Sequence, residues 1–310
     1  PTGNFMHISD TSTRTRTAFA LHAVCGALLI LSSLPATAAS TLDKVAKSGV
    51  VSLGYRDNSL PFSYLNADKR PIGYSIDICL KIVDALKREI KRNDLNVKYV
   101  KVTTETRLKS LESGEIDLEC GSTNASAERR KLADFTIPTY IASTRLLVKS
   151  DSGIKSVYDL AGKTVVMTKG TTQEKLFAEI NKNHTLRAKT VLGNTHDESF
   201  ALLEAGKADA FMLNDILLAS VRSTSKTPDR YVLTRDPLTI DPLSLTLRKN
   251  DDAFRKIVTG EIHRLITQGE INGMYRKWFE SPIPPNQVNL KLPMSYLLRD
   301  SFKSPTEWLP

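Results

Sequence analysis

The residues whose types and spacing are best suited to binding chemistry lie between positions 119 and 130, in the segment Glu-Cys-Gly-Ser-Thr-Asn-Ala-Ser-Ala-Glu-Arg-Arg. The pattern predicts a strand that ends at Cys120, a hydroxyl-rich turn, and a helix that begins near Ala127. Free backbone N–H groups at the start of a helix favour an anion, and Arg129 lies where a guanidinium can bind a carboxylate through two N–H groups. The segment therefore predicts a carboxylate site. The alternative is an ordinary strand-to-helix turn with a solvated arginine.

The elements that must position this segment alternate between strand and helix. The first half of the chain predicts strands at 50–55, 97–102 and 116–120 and helices at 75–89 and 107–113. The second half predicts strands at 145–149, 164–167, 188–192 and 208–213, separated by helices. A helix–Gly–x–x–Asp–strand unit recurs in both halves, at Gly114 and Gly206. This order is typical of an α/β fold, with a largely parallel sheet and helices on both faces.

The start of the chain has the features of a secretory signal peptide. Arg14 and Arg16 precede an apolar run over residues 18–34, and small residues follow at 35–39. A basic flank, an apolar core and a small-residue end predict a signal peptide at 1–38, cleaved after Ala38 or Ala39. The alternative is a membrane anchor, for which the apolar run is short.

Two cysteines, Cys79 and Cys120, follow the predicted signal peptide. An even pair in an oxidising compartment predicts a disulfide. A helix packed on its own sheet can bring the two residues together, and the alternative is a pair of buried free thiols. Neither cysteine has a histidine nearby, so the sequence predicts neither a metal site nor a catalytic thiol.

The charge of the chain is basic, with a formal net charge of +9. Lysine and arginine are scattered among aspartate and glutamate, and neither an RNA-recognition aromatic motif nor a zinc-ligand pattern is present. We therefore expect no nucleic-acid partner. The excess positive charge favours modest attraction of anionic ligands.

Several segments occur in the order and spacing of one known family. They are Gly54-Tyr55-Arg56-Asp57-Asn58-Ser59-Leu60-Pro61-Phe62-Ser63-Tyr64, Gly73-Tyr74-Ser75-Ile76-Asp77, Glu119-Cys120-Gly121-Ser122-Thr123 with Glu128-Arg129, Asp159-Leu160-Ala161-Gly162-Lys163, Gly170-Thr171-Thr172 and Lys277-Trp278-Phe279. With them the chain resembles the periplasmic solute-binding proteins of polar amino-acid ABC importers, and most closely the glutamate/aspartate-binding proteins. The resemblance covers roughly residues 41–285, nearly all of the chain after the signal peptide.

This resemblance implies the type II periplasmic binding protein fold. That fold has two Rossmann-like lobes joined by two crossing strands, which are expected near 140–144 and 240–243. The expected boundaries are lobe 1 at 40–141 plus 243–283, lobe 2 at 142–242, and a C-terminal tail at 284–310. The ligand would lie between the lobes, at the carboxyl ends of the strands.

The resemblance also implies a ligand site of nine residues. They are Arg56, Thr104, Arg107, Ser122, Asn124, Arg129, Thr172, His196 and Asn214. Arg129 would bind the α-carboxylate of the ligand, and Arg56 with Arg107 would bind the distal carboxylate. Three arginines in a small cleft need two carboxylates to balance them, because buried like charges are costly when unpaired. This favours an acidic amino acid over glutamine or a neutral one.

Two positions depart from the family pattern. Asn214 stands where the family has an aspartate for the ammonium of the ligand, and Asn124 stands where a threonine is frequent. An asparagine oxygen accepts a hydrogen bond but supplies no countercharge. We therefore expect Asn214→Asp to tighten binding of glutamate or aspartate. A dicarboxylate without the ammonium remains an alternative ligand.

The implied role is transport rather than catalysis. The expected partner is an ABC permease in the inner membrane, and the expected form is a periplasmic monomer that needs no cofactor and no metal. A dehydratase-like enzyme on the same fold is the other alternative. The predicted cleft residues offer no paired acid and base for that chemistry.

Overall fold

The computed structural model describes residues 40–307. The helices are α1 Thr41–Ser48, α2 Tyr74–Glu89, α3 Arg107–Glu112, α4 Gln173–Asn183, α5 His196–Glu204, α6 Asp215–Thr224, α7 Asp252–Thr267, α8 Glu270–Tyr275 and α9 Tyr296–Ser301. The strands are β1 Val50–Tyr55, β2 Asn58–Ser59, β3 Ser63–Leu65, β4 Pro71–Ile72, β5 Asn96–Lys101, β6 Leu118–Asn124, β7 Ala133–Phe135, β8 Tyr140–Lys149, β9 Thr164–Thr168, β10 Lys189–Gly193, β11 Ala210–Asn214, β12 Tyr231–Leu233 and β13 Thr239–Arg248. Short 3₁₀ turns lie at Arg129–Lys131, Val157–Leu160 and Pro228–Arg230, and a π-helical segment lies at Arg276–Glu280.

One mixed sheet of ten strands organises the described chain. Its order is β10-β9-β11-β8-β13-β6-β1-β5, with β12 added beside β8 and β7 beside β13. Strands pair in parallel at β10–β9–β11 and at β6–β1–β5, and antiparallel where β8 and β13 meet their neighbours. The sheet therefore consists of two parallel halves joined through two long antiparallel strands.

The two long strands are the crossing strands that the resemblance implies. Thr239 pairs with Thr144 and Leu243 pairs with Tyr140, so β8 and β13 run side by side through the predicted crossing region. The type II periplasmic binding protein fold, with two lobes and two crossovers, is thereby confirmed. The residue boundaries drawn for each lobe stay a prediction.

Helix α2 shows why the predicted elements form where they do. Its apolar positions recur with helical spacing, and Ile78, Ile82 and Leu86 are completely buried. The helix begins after Gly73, whose φ of 136° is open to glycine alone. A Cβ at that position would lie 2.2 Å from the carbonyl oxygen of Phe62. The N-terminus of α2 therefore packs closely against the preceding loop.

The predicted disulfide is confirmed. Cys79 on α2 and Cys120 on β6 are bonded, with 6.3 Å between their Cα atoms, and both are completely buried. The bond fixes α2 to the strand that carries Ser122 and Asn124 toward its carboxyl end.

The prediction of a turn directly after Cys120 is wrong. β6 continues to Asn124, because residues 123 and 124 pair with β13 and the amide of Ala125 donates to the carbonyl of Pro242 at 2.9 Å. The expected helix near Ala127 is only the 3₁₀ turn at Arg129–Lys131. The sheet uses the backbone groups that the prediction had assigned to an anion, and these residues do not form a helix N-terminus.

The last described residues pack against α7. Leu298 on α9 is buried, and the Glu307 carboxylate accepts hydrogen bonds from Arg255 and Thr259 on α7, at 2.9 and 2.8 Å.

The predicted signal peptide lies outside the described residues. Within residues 40–307, none of the helices combines the length and the apolar character that a membrane span requires.

Candidate ligand-binding site

Eight of the nine predicted site residues surround a single cavity. They are Thr104, Arg107, Ser122, Asn124, Arg129, Thr172, His196 and Asn214. The sequence interpretation missed four further residues of the lining, which are Thr171, Gln173, Leu213 and Leu217. Arg56 is not part of the lining. Burial is the main cause of the lowered pKa of Arg129 and of His196, which both line the cavity, and the charge of Arg56 acts in the same direction on both.

The cavity lies where strands of both halves of the sheet end. Asn124 and Asn214 are the last residues of β6 and β11, and His196 opens the helix that follows β10. Thr104 follows β5, and Thr172 lies between β9 and α4. Open α/β sheets place ligands at the carboxyl ends of their strands. The fold therefore gathers side chains that are far apart in sequence at one position.

Two arginines have buried N–H groups without a protein partner. Arg56 and Arg107 are each only 2% exposed, and the Nε and Nη1 atoms of both lack a hydrogen-bond acceptor. Burial lowers the pKa of Arg56 to about 10, with the neighbouring charge of Arg107 as the second cause. Burial also lowers the pKa of Arg107. Guanidinium groups remain protonated in proteins, so these four N–H-bearing atoms require an anionic acceptor.

Arg129 is held by two backbone carbonyls. Its Nη1 donates to the carbonyl of Asn124 at 3.2 Å, and its Nη2 donates to the carbonyl of Gly170 at 2.7 Å. Burial, followed by the charge of Arg107, lowers the pKa of Arg129 to about 9. The side chain is therefore still charged at neutral pH, and it joins the end of β6 to the loop before α4.

His196 is buried and neutral. Its Nδ1 lies 3.0 Å from Thr168 Oγ1, and the residue is 2% exposed. Burial holds the pKa of His196 well below its usual value, and the charges of Arg56 and Arg107 act in the same direction. At neutral pH the imidazole offers polar nitrogen atoms to the cavity without adding a positive charge.

A buried carboxylate that the sequence interpretation did not assign lies beside the two arginines. Glu119 is completely buried on β6, its Oε2 accepts from Thr123 Oγ1 at 2.7 Å, and its Oε1 has no partner. Its charge raises the pKa of Arg56 and of Arg107, opposing the effect of burial. Gly121 leaves the space for this arrangement, because a Cβ there would lie 2.2 Å from Glu119 Oε1.

A second unassigned carboxylate, Asp241 on β13, accepts hydrogen bonds from several side chains around it. Its Oδ1 accepts from Asn124 Nδ2 at 2.8 Å, and its Oδ2 accepts from Asn214 Nδ2 at 2.7 Å. The hydroxyls of Thr144 and Thr239 also donate to Oδ2, at 2.7 and 2.9 Å. Asp241 is 5% exposed. No local pattern marks this residue, because its asparagine partners lie 117 and 27 positions away in the chain.

Contacts across the cavity join its two sides. Thr104 Oγ1 donates to the carbonyl of Lys169, and Asn124 Nδ2 lies 3.4 Å from Thr172 Oγ1. Gly170 has a φ of +74°, and a Cβ there would lie 2.8 Å from the backbone of Glu105. The loop before α4 therefore approaches the loop before α3 closely enough to require glycine.

The side chains around the cavity suit an anion. Guanidinium, hydroxyl and amide groups supply hydrogen-bond donors for carboxylate oxygens. Among the residues that the structure describes, no cluster of three or more His, Cys, Asp or Glu side chains has the arrangement of a metal site.

A comparison with family models decides the family. Residues 51–281 match the model of the bacterial extracellular solute-binding proteins, family 3. The chain belongs to this family. The match extends over nearly all of the described residues, from β1 to the end of the π-helical segment.

Curated relatives share most of this chain. An L-glutamate/L-aspartate-binding protein of Pseudomonas aeruginosa is 41% identical over 286 residues, which cover 92% of this chain and 95% of the relative. A glutamate/aspartate import solute-binding protein of Salmonella typhimurium is 39% identical over 270 residues, which cover 87% of this chain and 89% of the relative.

Solved structures share the fold. An ancestral amino-acid-binding protein, described as a precursor of cyclohexadienyl dehydratase, has a TM-score of 0.67 at 26% identity. The alignment covers 78% of this chain and all of that one. A cysteine-binding protein from Campylobacter jejuni has a TM-score of 0.68 at 25% identity. That alignment covers 77% of this chain and 92% of the Campylobacter jejuni chain.

Proposed function

We propose that this protein is the periplasmic substrate-binding component of an amino-acid ABC importer and that it binds glutamate or aspartate in the cavity. The observation that carries the proposal is the buried guanidinium of Arg107, which lines the cavity and whose Nε and Nη1 atoms lack protein acceptors. Arg56, whose pKa is lowered by burial and by the neighbouring charge of Arg107, has the same two atoms without acceptors. A carboxylate is the acceptor that matches such a donor set. Arg129 supplies a third cation near the first two.

The charges around the cavity favour a ligand with two carboxylates and one ammonium. Three arginines face two buried carboxylates, Glu119 and Asp241, while His196 is neutral, so one positive charge remains. Glutamate and aspartate carry one net negative charge and cancel it. Glutamine would leave the positive charge unbalanced, and a dicarboxylate without an ammonium would leave a negative one. Uncompensated buried charge is costly.

The relatives support the same ligand class. The Pseudomonas aeruginosa and Salmonella typhimurium proteins are named for glutamate and aspartate, and each aligns along nearly its whole length with this chain. The name of the Salmonella typhimurium protein also contains the word import, which supports uptake of the ligand as the role of this protein. We propose that it works as a periplasmic monomer and needs no cofactor.

The nine predicted residues have separate roles in this proposal. Arg129, with Ser122 and Thr172, binds the α-carboxylate of the ligand. Arg56 and Arg107 bind the distal carboxylate. Thr104 and His196 complete the polar surface around that second carboxylate, and Asn124 and Asn214 lie at the side of the cavity nearest Asp241.

The test begins with the ligand that the protein retains from the cell. The chain is expressed with its own N-terminal segment, purified from the periplasm, and analysed by mass spectrometry after denaturation. We expect glutamate or aspartate in the released fraction. Calorimetric titration of the ligand-stripped protein then compares glutamate, aspartate, glutamine and glutarate, with analysis of each mixture for reaction products.

The outcomes separate the alternatives. Tight binding of glutamate or aspartate without chemical change supports the proposal. Preference for glutarate would support a dicarboxylate binder, and a product that accumulates with time would support an enzyme. Failure to bind any acidic ligand would overturn the proposed function.

A further inference from the structure

Asp241 lies directly behind the two asparagines that border the cavity. Asn124 and Asn214 both line the cavity, and each directs its Nδ2 atom to a different oxygen of the Asp241 carboxylate. An ionised carboxylate accepts hydrogen bonds and donates none. Each side-chain amide could otherwise take either of two orientations related by a flip. The Asp241 carboxylate selects the one in which the NH₂ group points toward it.

This orientation leaves two oxygen atoms for the cavity. Because each NH₂ group is directed to Asp241, the carbonyl oxygen of the same amide points away from that carboxylate. Within residues 40–307, neither Asn124 Oδ1 nor Asn214 Oδ1 accepts a hydrogen bond from a protein donor. Neither oxygen is sealed from solvent without a partner, so both are open to a group in the cavity. A cation in the cavity would meet two neutral acceptors with a negative charge behind both.

We propose that Asp241 positions Asn124 and Asn214 as a pair of acceptors for the ammonium of the ligand and supplies its countercharge from one layer behind them. The inference rests on the proposed function, since it assigns the part of the same cavity that selects an amino acid over a plain dicarboxylate. Asp241 is a positioning residue in this arrangement, and the two asparagines contact the ligand.

The neighbouring carboxylate of Asp215 does not fill this role. Its Oδ1 accepts from the backbone amides of Ser143 and Ile216, and its Oδ2 accepts from the Ser143 hydroxyl. It is not part of the cavity lining. Asp215 therefore joins the start of α6 to Ser143 on β8, while Asp241 is the acid that connects to the cavity.

The inference changes the expectation for Asn214→Asp. The new carboxylate would lie in place of an amide that is 2.7 Å from Asp241 Oδ2. Two carboxylates at such a distance retain one proton between them. We therefore expect Asn214→Asp alone to give no tighter binding of glutamate, in contrast to the prediction from the sequence.

The experiment compares glutamate with glutarate, which has the same two carboxylates and no ammonium. Asp241→Asn removes the charge with little change in size. We expect it to weaken glutamate binding by about 10- to 100-fold, the effect of a unit charge about 6 Å away at an intermediate effective dielectric constant. Glutarate binding should stay the same or become tighter. Asp215→Asn is the matched control, and it should leave the ratio of the two affinities unchanged.

A second variant separates this role from a structural one. Asn214→Asp combined with Asp241→Asn moves the charge from β13 to β11 within the same cluster, and we expect it to recover most of the preference for glutamate. Thermal unfolding of every variant reports whether the fold persists. A merely structural role for Asp241 predicts equal losses for both ligands and no recovery in the double variant.

The failures are distinguishable. If the unaltered protein binds neither glutamate nor aspartate, the proposed function fails and this inference fails with it. If the unaltered protein prefers glutamate but Asp241→Asn keeps the same preference, only the role of Asp241 is overturned. If the double variant folds without recovering the preference, the assignment to the two asparagines is also overturned.

Discussion

Replacing Arg107 with methionine should change ligand affinity and stability in opposite directions. In the structure, Nε and Nη1 of Arg107 are buried and lack acceptors. Each hydrogen bond between a charged donor and a ligand carboxylate contributes about 1.5–3 kcal/mol. Two such bonds amount to roughly 3–6 kcal/mol, so Arg107→Met should weaken glutamate binding by about 10²- to 10⁴-fold.

The same substitution should stabilise the protein without ligand. A buried guanidinium without its anion costs free energy, and an apolar side chain of similar length removes that cost. We expect the free energy of unfolding of the ligand-free protein to rise by up to roughly 1–4 kcal/mol, the range seen when buried ion pairs are replaced by packed apolar groups, because Arg56 remains to balance the charge of Glu119.

Calorimetry gives the affinity, and urea unfolding of ligand-stripped protein gives the stability. Arg130→Met is the matched control, because Arg130 donates to the carbonyls of Ala125 and Glu307 and lies outside the cavity lining. It should lower stability and leave affinity unchanged. Wild-type affinity in a folded Arg107→Met protein would refute the role of Arg107. A large loss of ligand-free stability would show that its guanidinium has a structural partner.

Three further results are expected. Reducing the Cys79–Cys120 bond, which spans a sequence separation of 41, should lower the free energy of unfolding by roughly 4 kcal/mol; a difference below about 1 kcal/mol between urea curves with and without reductant would contradict this chain-entropy argument. Because the pKa of His196 is lowered on folding, the unfolded state binds an extra proton below its ordinary pKa of about 6.5. Stability should therefore fall as pH decreases below that value, by up to about 1.4 kcal/mol per pH unit, and His196→Gln should flatten this pH profile. Gly170→Ala should weaken glutamate binding by roughly 1–3 kcal/mol, since a φ of +74° and a Cβ 2.8 Å from the Glu105 backbone oppose the contact across the cavity; unchanged affinity would show that this approach is not needed.

The sequence alone predicted the parts of the protein that local patterns specify. Helical periodicity placed α2 within one residue of its observed start, since buried apolar positions recur along one face. Two cysteines after the predicted signal peptide predicted the disulfide between Cys79 and Cys120. Family motifs in the right order predicted the crossing strands and eight residues of one cavity. These features depend on residue type and spacing, which a sequence contains directly.

The tertiary structure decided the parts that depend on distant partners. The hydroxyl-rich segment after Cys120 has the composition of a turn, yet it extends as a strand because β13 supplies its hydrogen-bond partners. The charge near Asn214 is equally invisible in the chain order, since Asp241 reaches it from another strand, 27 positions away. Glu119 lies within the family motif at residues 119–123, but only its burial beside Arg56 and Arg107 shows that its charge acts on both guanidinium groups. Coulomb interactions and hydrogen bonds depend on distance in space, and folding alone sets those distances.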